Sequence, residues 1–175
     1  MRPFAESGLV AIDLANTLDP WLDEPERLPD VAALRRFLEE LAVDGEPTVS
    51  DLSLARALRA ALREILGAPA DAALAGARAL VEPVAARVQL VERDGAWALA
   101  PVAPVRASLH DRLALRAVEE LVAISRGPGL ERLGRCAAAP CTDAFLDVTK
   151  NGSRRFCSQR CSNRTHARLY RARGR

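Results

Sequence analysis

Through the first 130 residues apolar side chains recur at intervals of three and four, the spacing of helices that bury one face. Leu9, Ile12 and Leu14 lead into Ala15-Asn16-Thr17-Leu18, after which Pro20, Pro25 and Pro29 mark an irregular stretch. Asp30 is placed to cap a helix whose inner face is Val31, Leu34, Leu38 and Leu41, ended by Gly45 and Pro47. Ser50 is expected to cap a longer helix with Leu54, Leu58, Leu62 and Ile65 as its stripe, closed by Gly67 and Pro69. On its other side Arg56, Arg59 and Arg63 read as a solvated face. A further helix is predicted from about Ala70 to Val81.

The period then changes to two. Arg87 to Val91 and Ala96 to Leu99 alternate around Asp94-Gly95, a β-hairpin signal. A last helix is predicted near Ala107 to Ile124, with Leu109, Leu113, Val118 and Leu121 or Val122 facing inward, before Gly127-Pro128-Gly129 breaks the chain. The expected architecture is a mainly α unit over residues 1–128 with a hairpin near 87–100, followed by a small unit over 131–175.

Composition is that of an ordinary globular chain, with 49% hydrophobic and 27% charged residues among 175. No apolar run reaches the eighteen or so residues of a spanning helix, and the N-terminus lacks the pattern of a secretory signal, so a cytoplasmic location is the expectation. The net charge of +2 conceals an asymmetry. Residues 1–130 carry 14 basic and 20 acidic side chains, a balance of −6, whereas residues 131–175 carry 11 and 3, a balance of +8. No acid follows Asp147, but Lys150 and eight arginines do.

All four cysteines fall in this basic segment, as C-x4-C, fifteen residues, C-x3-C. Zinc takes four soft ligands at tetrahedral corners, and two short-spaced pairs supply a closed set: Cys136, Cys141, Cys157 and Cys161. Two disulfides or four unrelated thiols are the alternatives, the first disfavoured for a chain without a secretory signal and the second by the clustering of all four, and iron or an iron–sulfur cluster is the other group such a set can hold. A tetrathiolate zinc leaves no position for a reacting water. The two histidines show no ligand or triad spacing, so an enzyme is not expected.

Lys150-Asn151-Gly152 reads as the turn of a hairpin joining Ala144–Val148 to Ser153–Phe156, with Phe145 and Phe156 toward the metal. Ser158 is placed to cap a helix starting at Gln159, which puts Cys161 in its first turn. That order is a treble-clef layout. On the helix Cys161, Thr165, Leu169 and Ala172 fall together, while Arg160, Arg164, Arg168, Arg171 and Arg175 crowd an adjacent arc. Like charges at i, i+4 destabilise a helix, so the stripe implies a partner. Phosphate is the leading candidate; neutralisation of the zinc–thiolate centre and docking on the acidic N-terminal unit are the alternatives.

The C-terminal residues follow the pattern R-C-x4-C, then F-x-D, then R-R-F-C-S-x-x-C-x-N-R, formed by Arg135-Cys136, Phe145-Leu146-Asp147 and Arg154 to Arg164. The chain resembles the CGNR zinc-finger proteins with an N-terminal ABATE domain, a family of bacterial transcription regulators. The likeness extends to Leu14-Ala15-Asn16-Thr17, to the Ala55–Arg59 helix and to the hairpin. It departs at Ser162, where the family name has glycine, and at Phe156, where tryptophan is usual.

The resemblance implies a zinc-dependent DNA-binding finger behind a helical domain with a sensory role. The candidate nucleic-acid contacts are Lys150, Arg154, Arg155, Arg160, Asn163, Arg164, Arg168 and Arg171. For Asn163 the alternative is a hydrogen bond to backbone near the zinc loop. One finger gives little specificity, so a homodimer through the helical domain is expected of an operator-binding protein. A second reading is a zinc-stabilised protein-interaction module or intramolecular clamp. A third is a small-molecule ligand site in the helical domain resting on Asp13, Asn16 and Thr17, with Asp19; the alternative for these is backbone capping.

Overall fold

In the computed structural model, which describes residues 3–93 and 95–173, α1 (Val10–Ala15) is buried on every side. A helix with no wet face needs protein partners for its orphan groups. The N–H groups of Val10 and Ala11 donate to the carboxylate of Glu120 at 3.0 and 2.9 Å. Asp13 accepts from the Ser7 N–H, the Ser7 hydroxyl and the Gly8 N–H, each at 2.9 Å. Burial outweighs these bonds and pushes the carboxyls of Asp13 and Glu120 above their ordinary range.

Around α1 stand α2 (Val31–Glu40), α3 (Val49–Gly67), α4 (Ala70–Val81) and α5 (Leu109–Arg126). α1 packs on α3 and α5, and α4 closes over the same pair. Phe37, Leu34, Leu58, Leu62, Leu113 and Leu121 fill the centre. Asp30 caps α2 as its spacing predicts, accepting from the Ala33 N–H at 2.8 Å. α5 begins at Ser108, whose hydroxyl accepts from Asp111 N–H.

α3 differs from its prediction in two respects. Thr48 rather than Ser50 caps it, through a reciprocal capping box with Asp51. Its inner stripe is Leu52, Ala55, Leu58, Leu62, Ile65 and Leu66, whereas Leu54 is 41% exposed.

The arginines of α3 are not a solvated face. Arg59, only 8% exposed, forms a two-pronged pair with Glu26 at 2.6 and 2.7 Å and reaches Thr17 Oγ1 at 3.2 Å. Arg56 donates to the Leu28 carbonyl. Burial opposes the charge on Glu26, but Arg59, the Leu28 N–H and the Arg56 charge overcome it and hold the carboxyl below its usual range. This pairing pins the proline-rich stretch, in which Leu18 bridges to Glu26 and Asp19 N–H donates to Pro25 carbonyl at 2.8 Å. The pinned loop presents Asp19 and Trp21.

β1 (Arg87–Arg93) and β2 (Ala96–Val102) form the expected antiparallel hairpin; Asp94 lies outside the described residues. After α5 a 3-10 turn at Leu130–Arg132 leads into β3 (Leu133–Arg135), which pairs antiparallel with β4 (Ala144–Leu146), and α6 (Gln159–Arg173) ends the described chain. β4 therefore pairs with β3 and not with Ser153–Phe156 as the Asn-Gly turn suggests. Lys150-Asn151-Gly152 is a turn, with Gly152 at φ +61°, but Asp147 organises its far side by accepting from Thr149 N–H and Arg154 N–H, both at 2.8 Å.

Replacing Glu26 with alanine would leave the Arg59 guanidinium buried without its carboxylate. The expected cost is on the order of 3 kcal/mol, read from urea unfolding at neutral pH. A change within about 0.5 kcal/mol would show that the pair does not hold the loop.

Candidate metal centre and its seat on the helical domain

Cys136 leaves β3 and Cys141 lies shortly before β4, so one tight loop delivers both. Within it Cys136 N–H donates to Asp143 carbonyl at 2.9 Å and Cys141 N–H to Ala138 carbonyl at 2.7 Å. Cys157 stands just before α6 and Cys161 in its first turn, where the Ser158 hydroxyl accepts from Cys161 N–H at 3.3 Å. The sulfurs of Cys141 and Cys157 are 3.7 Å apart and those of Cys157 and Cys161 3.6 Å. All four lie within 4.8 Å of one another.

A zinc–sulfur bond of about 2.3 Å in a tetrahedron requires sulfurs about 3.8 Å apart. The observed separations fit that geometry and are far too long for disulfides, and all four cysteines are free thiols. Three of the four are buried and Cys157 is half-buried.

Crowding disfavours charge on bare sulfur. The Cys157 thiol is driven well above its usual range by its hydrogen bond to Cys141, then by burial and the nearby Asp143 and Cys141 charges. Burial, with Cys157 and Cys136 adjoining, pushes Cys161 up to about 11. For Cys136 burial acts upward too, but bonds from the backbone N–H groups of Cys157 and Ala138 outweigh it and hold the thiol low. A dication reverses this balance, because it needs all four sulfurs as thiolates.

Aromatic groups seal the centre. Phe156 packs on the cysteines and meets His166 edge-on at 6.1 Å, and Trp21 arrives from the helical domain. Phe145 lies against Gly134 so closely that an added Cβ would sit 2.7 Å from its ring, so only glycine fits there. Arg154 stacks on Phe145 at 4.9 Å and donates to the carbonyls of Phe156, Leu146 and Cys157.

The finger is seated on the helical domain through polar bonds and apolar packing together. Asn16 pairs with the backbone of Ala144 in both directions, donating to its carbonyl at 2.9 Å and accepting from its N–H at 2.8 Å. Ala144 belongs to the main core, with Leu133 and Leu146 packed against it. Arg63 bridges the Ala15 carbonyl at 2.9 Å and Thr142 Oγ1 at 2.6 Å, and Arg135 donates to the Arg63 carbonyl. Arg160 reaches buried Asp19 at 3.4 Å, and Arg164 lies 4.5 Å over the Trp21 ring.

The candidate residues thus separate into groups. The four cysteines converge. Arg154 is folded onto the finger, and Arg160 and Arg164 face the loop that carries Asp19 and Trp21. Lys150, Arg155, Arg168 and Arg171 are exposed; Arg155 lies 5.8 Å over Phe156. Asn163 is exposed and accepts from Gln159 Nε2 at 2.8 Å, so its bond is to a neighbouring side chain and not to the zinc loop. Arg175 lies outside the described residues. Asp13, Asn16 and Thr17 are buried, each in intramolecular bonds: Asp13 to Ser7 and Gly8, Asn16 to Ala144, and Thr17 to Leu14 and Arg59.

Sequence reasoning missed Trp21 and Arg63 as contributors to this seat. The one available signal was a tryptophan in an otherwise irregular proline-rich stretch. The CGNR zinc finger model matches residues 132–174, and the ABATE model, described as "Putative stress-induced transcription regulator", matches residues 8–138, about three quarters of the chain. The chain belongs to the ABATE family.

No curated protein matches the sequence. The ABATE and CGNR matches overlap over 132–138, so β3 and the first zinc ligand, Cys136, belong to both. The finger's cofactor is zinc, and the four cysteines are the residues placed to hold it. No described helix is long and apolar enough to cross a membrane.

Two outcomes follow for the ABATE–finger joint. Cys161→Ser is expected to lower bound zinc from one ion per chain toward none, measured by metal analysis after dialysis, with loss of hydrogen-exchange protection over 133–173. Asn16→Ala strands the Ala144 N–H and carbonyl in the core and should cost about 2 to 4 kcal/mol in chemical unfolding. Full retention of zinc in the first, or unchanged stability in the second, would contradict these roles.

Proposed function

We propose that this ABATE-family chain is a cytoplasmic, non-catalytic transcription regulator whose zinc-ordered finger binds DNA through phosphate contacts. The observation that carries the reading is the distal half of α6. Arg168 and Arg171 are exposed there, on a helix without an acidic residue and anchored at its other end by Cys161. Lys150 and Arg155 extend the positive surface onto the turn and the zinc loop. The family description supports a regulatory role, and the +8 balance of residues 131–175 supports a polyanionic partner. A centre with four protein thiolates serves structure and leaves no coordination position for chemistry.

Arg160 and Arg164 already hold Asp19 and Trp21, so among the described candidate contacts four cations, Lys150, Arg155, Arg168 and Arg171, rather than the whole stripe are offered to phosphate. The logarithm of the DNA association constant should fall with the logarithm of salt concentration with a slope of about −3.5. Arg168→Ala and Arg171→Ala should each reduce the magnitude of that slope by about 1. A slope near zero would remove the DNA reading and favour the second one, an intramolecular clamp. That reading draws on the same two contacts, through which the ABATE domain occupies finger arginines.

A further inference from the structure

The hairpin β1–β2 is built with its bulky side outward. Its register sets Val88 opposite Pro101, Leu90 opposite Leu99 and Glu92 opposite Trp97, so these six side chains share one face. Val88, Leu90, Trp97 and Leu99 are 71, 62, 66 and 74% exposed. On the other face Ala98 and Ala100, with parts of Leu99 and Pro101, border a groove of about 490 Å³ whose opposite wall includes Leu115, Val118 and Val122 of α5. Ala100 is the only buried residue of the two strands among those described.

A sheet that covered only its own domain would turn its large side chains inward and its polar ones to water. Here the alanines of β2 point in with Arg87, Gln89, Val91 and Val102, while Val88, both leucines and the tryptophan point out. A two-stranded sheet is marginal by itself and gains stability from a second layer. Nothing else in the described chain supplies that layer on the outer face.

We propose that this face is the surface through which two copies of the chain associate. Four side chains with those exposures present on the order of 500 Å² of apolar area, as large as the biggest patches monomers normally carry. Apposed to a second copy they bury about 1,000 Å² in total, the lower edge of a specific interface. The face is also self-complementary in shape and free of like-charge conflict. A two-fold axis lying in the contact plane and crossing the strands at the Leu90–Leu99 pair sets leucine on leucine. It also lays Trp97 of one copy over Pro101 of the other and keeps the two Glu92 carboxylates at opposite ends of the contact. An interface at this lower edge is of the weak, transient class, so association is sought at micromolar concentrations.

The surface stands on the hairpin alone and does not depend on DNA binding. The test is sedimentation velocity of the full-length, zinc-loaded chain from about 1 to 100 µM. Wild type is expected to pass from monomer to dimer over that range. Leu90→Lys combined with Leu99→Lys should weaken association at least about 100-fold while zinc content and helical circular dichroism are retained. If the double variant loses its helical signal, Trp97→Arg carries the same expectation. A wild type that stays monomeric throughout, or a dimer that survives these substitutions, overturns the proposal. A dimer with a salt-independent DNA slope would remove only the nucleic-acid reading, and a monomer with a steep slope would remove only the dimer.

Discussion

Four sulfurs gathered within 4.8 Å repel one another as thiolates, and only a dication among them makes that arrangement a minimum. Everything the finger presents depends on this. β3 and β4 are three residues each, and the apolar cluster around the sulfurs is small, so the finger has too little core to set the direction of α6 by packing alone. Zinc binding contributes on the order of 10 kcal/mol in comparable modules. It joins the β3–β4 loop to the first turn of α6 and so fixes where Arg160 and Arg164 point.

The second constraint is that the finger does not hang from a linker. Ala144 sits in the main hydrophobic core, and Asn16 completes its backbone as a neighbouring strand would. An order can be traced through the contacts. Arg59 holds Glu26, Glu26 helps fix the irregular loop, and the loop carries Asp19 and Trp21 to the finger helix. α3 supplies both Arg59 and Arg63, one for the loop and one for the zinc loop at Thr142. Zinc geometry and the helical core are therefore linked, and disturbance of either acts on the other.

Much of this was legible in the sequence, for identifiable reasons. Periods of 3.6 and 2 mark the helices and the β1–β2 hairpin because burial on one face imposes them, and cysteine spacing marks the metal because a tetrahedron needs paired ligands. Periodicity reports which residues share a face but not what that face meets. It could not separate a solvated Arg59 from one 8% exposed against Glu26, since both lie off the apolar stripe. It could not say that the Val88–Leu90–Trp97–Leu99 face of the hairpin turns outward. The strong Asn-Gly turn suggested a pairing for β4 that lost to β3, where Gly134 lets Phe145 lie flat against the strand. The polar run Asp13, Asn16 and Thr17 looked like a ligand site because polar atoms in an apolar segment need partners. Those partners come from the chain itself, in the case of Asn16 from 128 residues away.

The arginine stripe of α6 shows how one sequence feature can answer to two physical demands. Like charges at successive turns oppose helix formation, and the repulsion must be relieved somewhere. Near the zinc it is relieved internally: Arg160 meets a buried carboxylate and Arg164 the face of an indole. Beyond Thr165 the relief ends. Arg168 and Arg171 stand in solvent beside Leu169 and Tyr170, themselves exposed, on the part of the helix farthest along the chain from Cys161. Docking therefore accounts for the proximal arginines and leaves the distal ones without that explanation. A helix stabilised at its start by metal and domain contacts can carry at its end a charge density that would destabilise it in isolation, and such a density is most useful where a second polyanion supplies the missing countercharge.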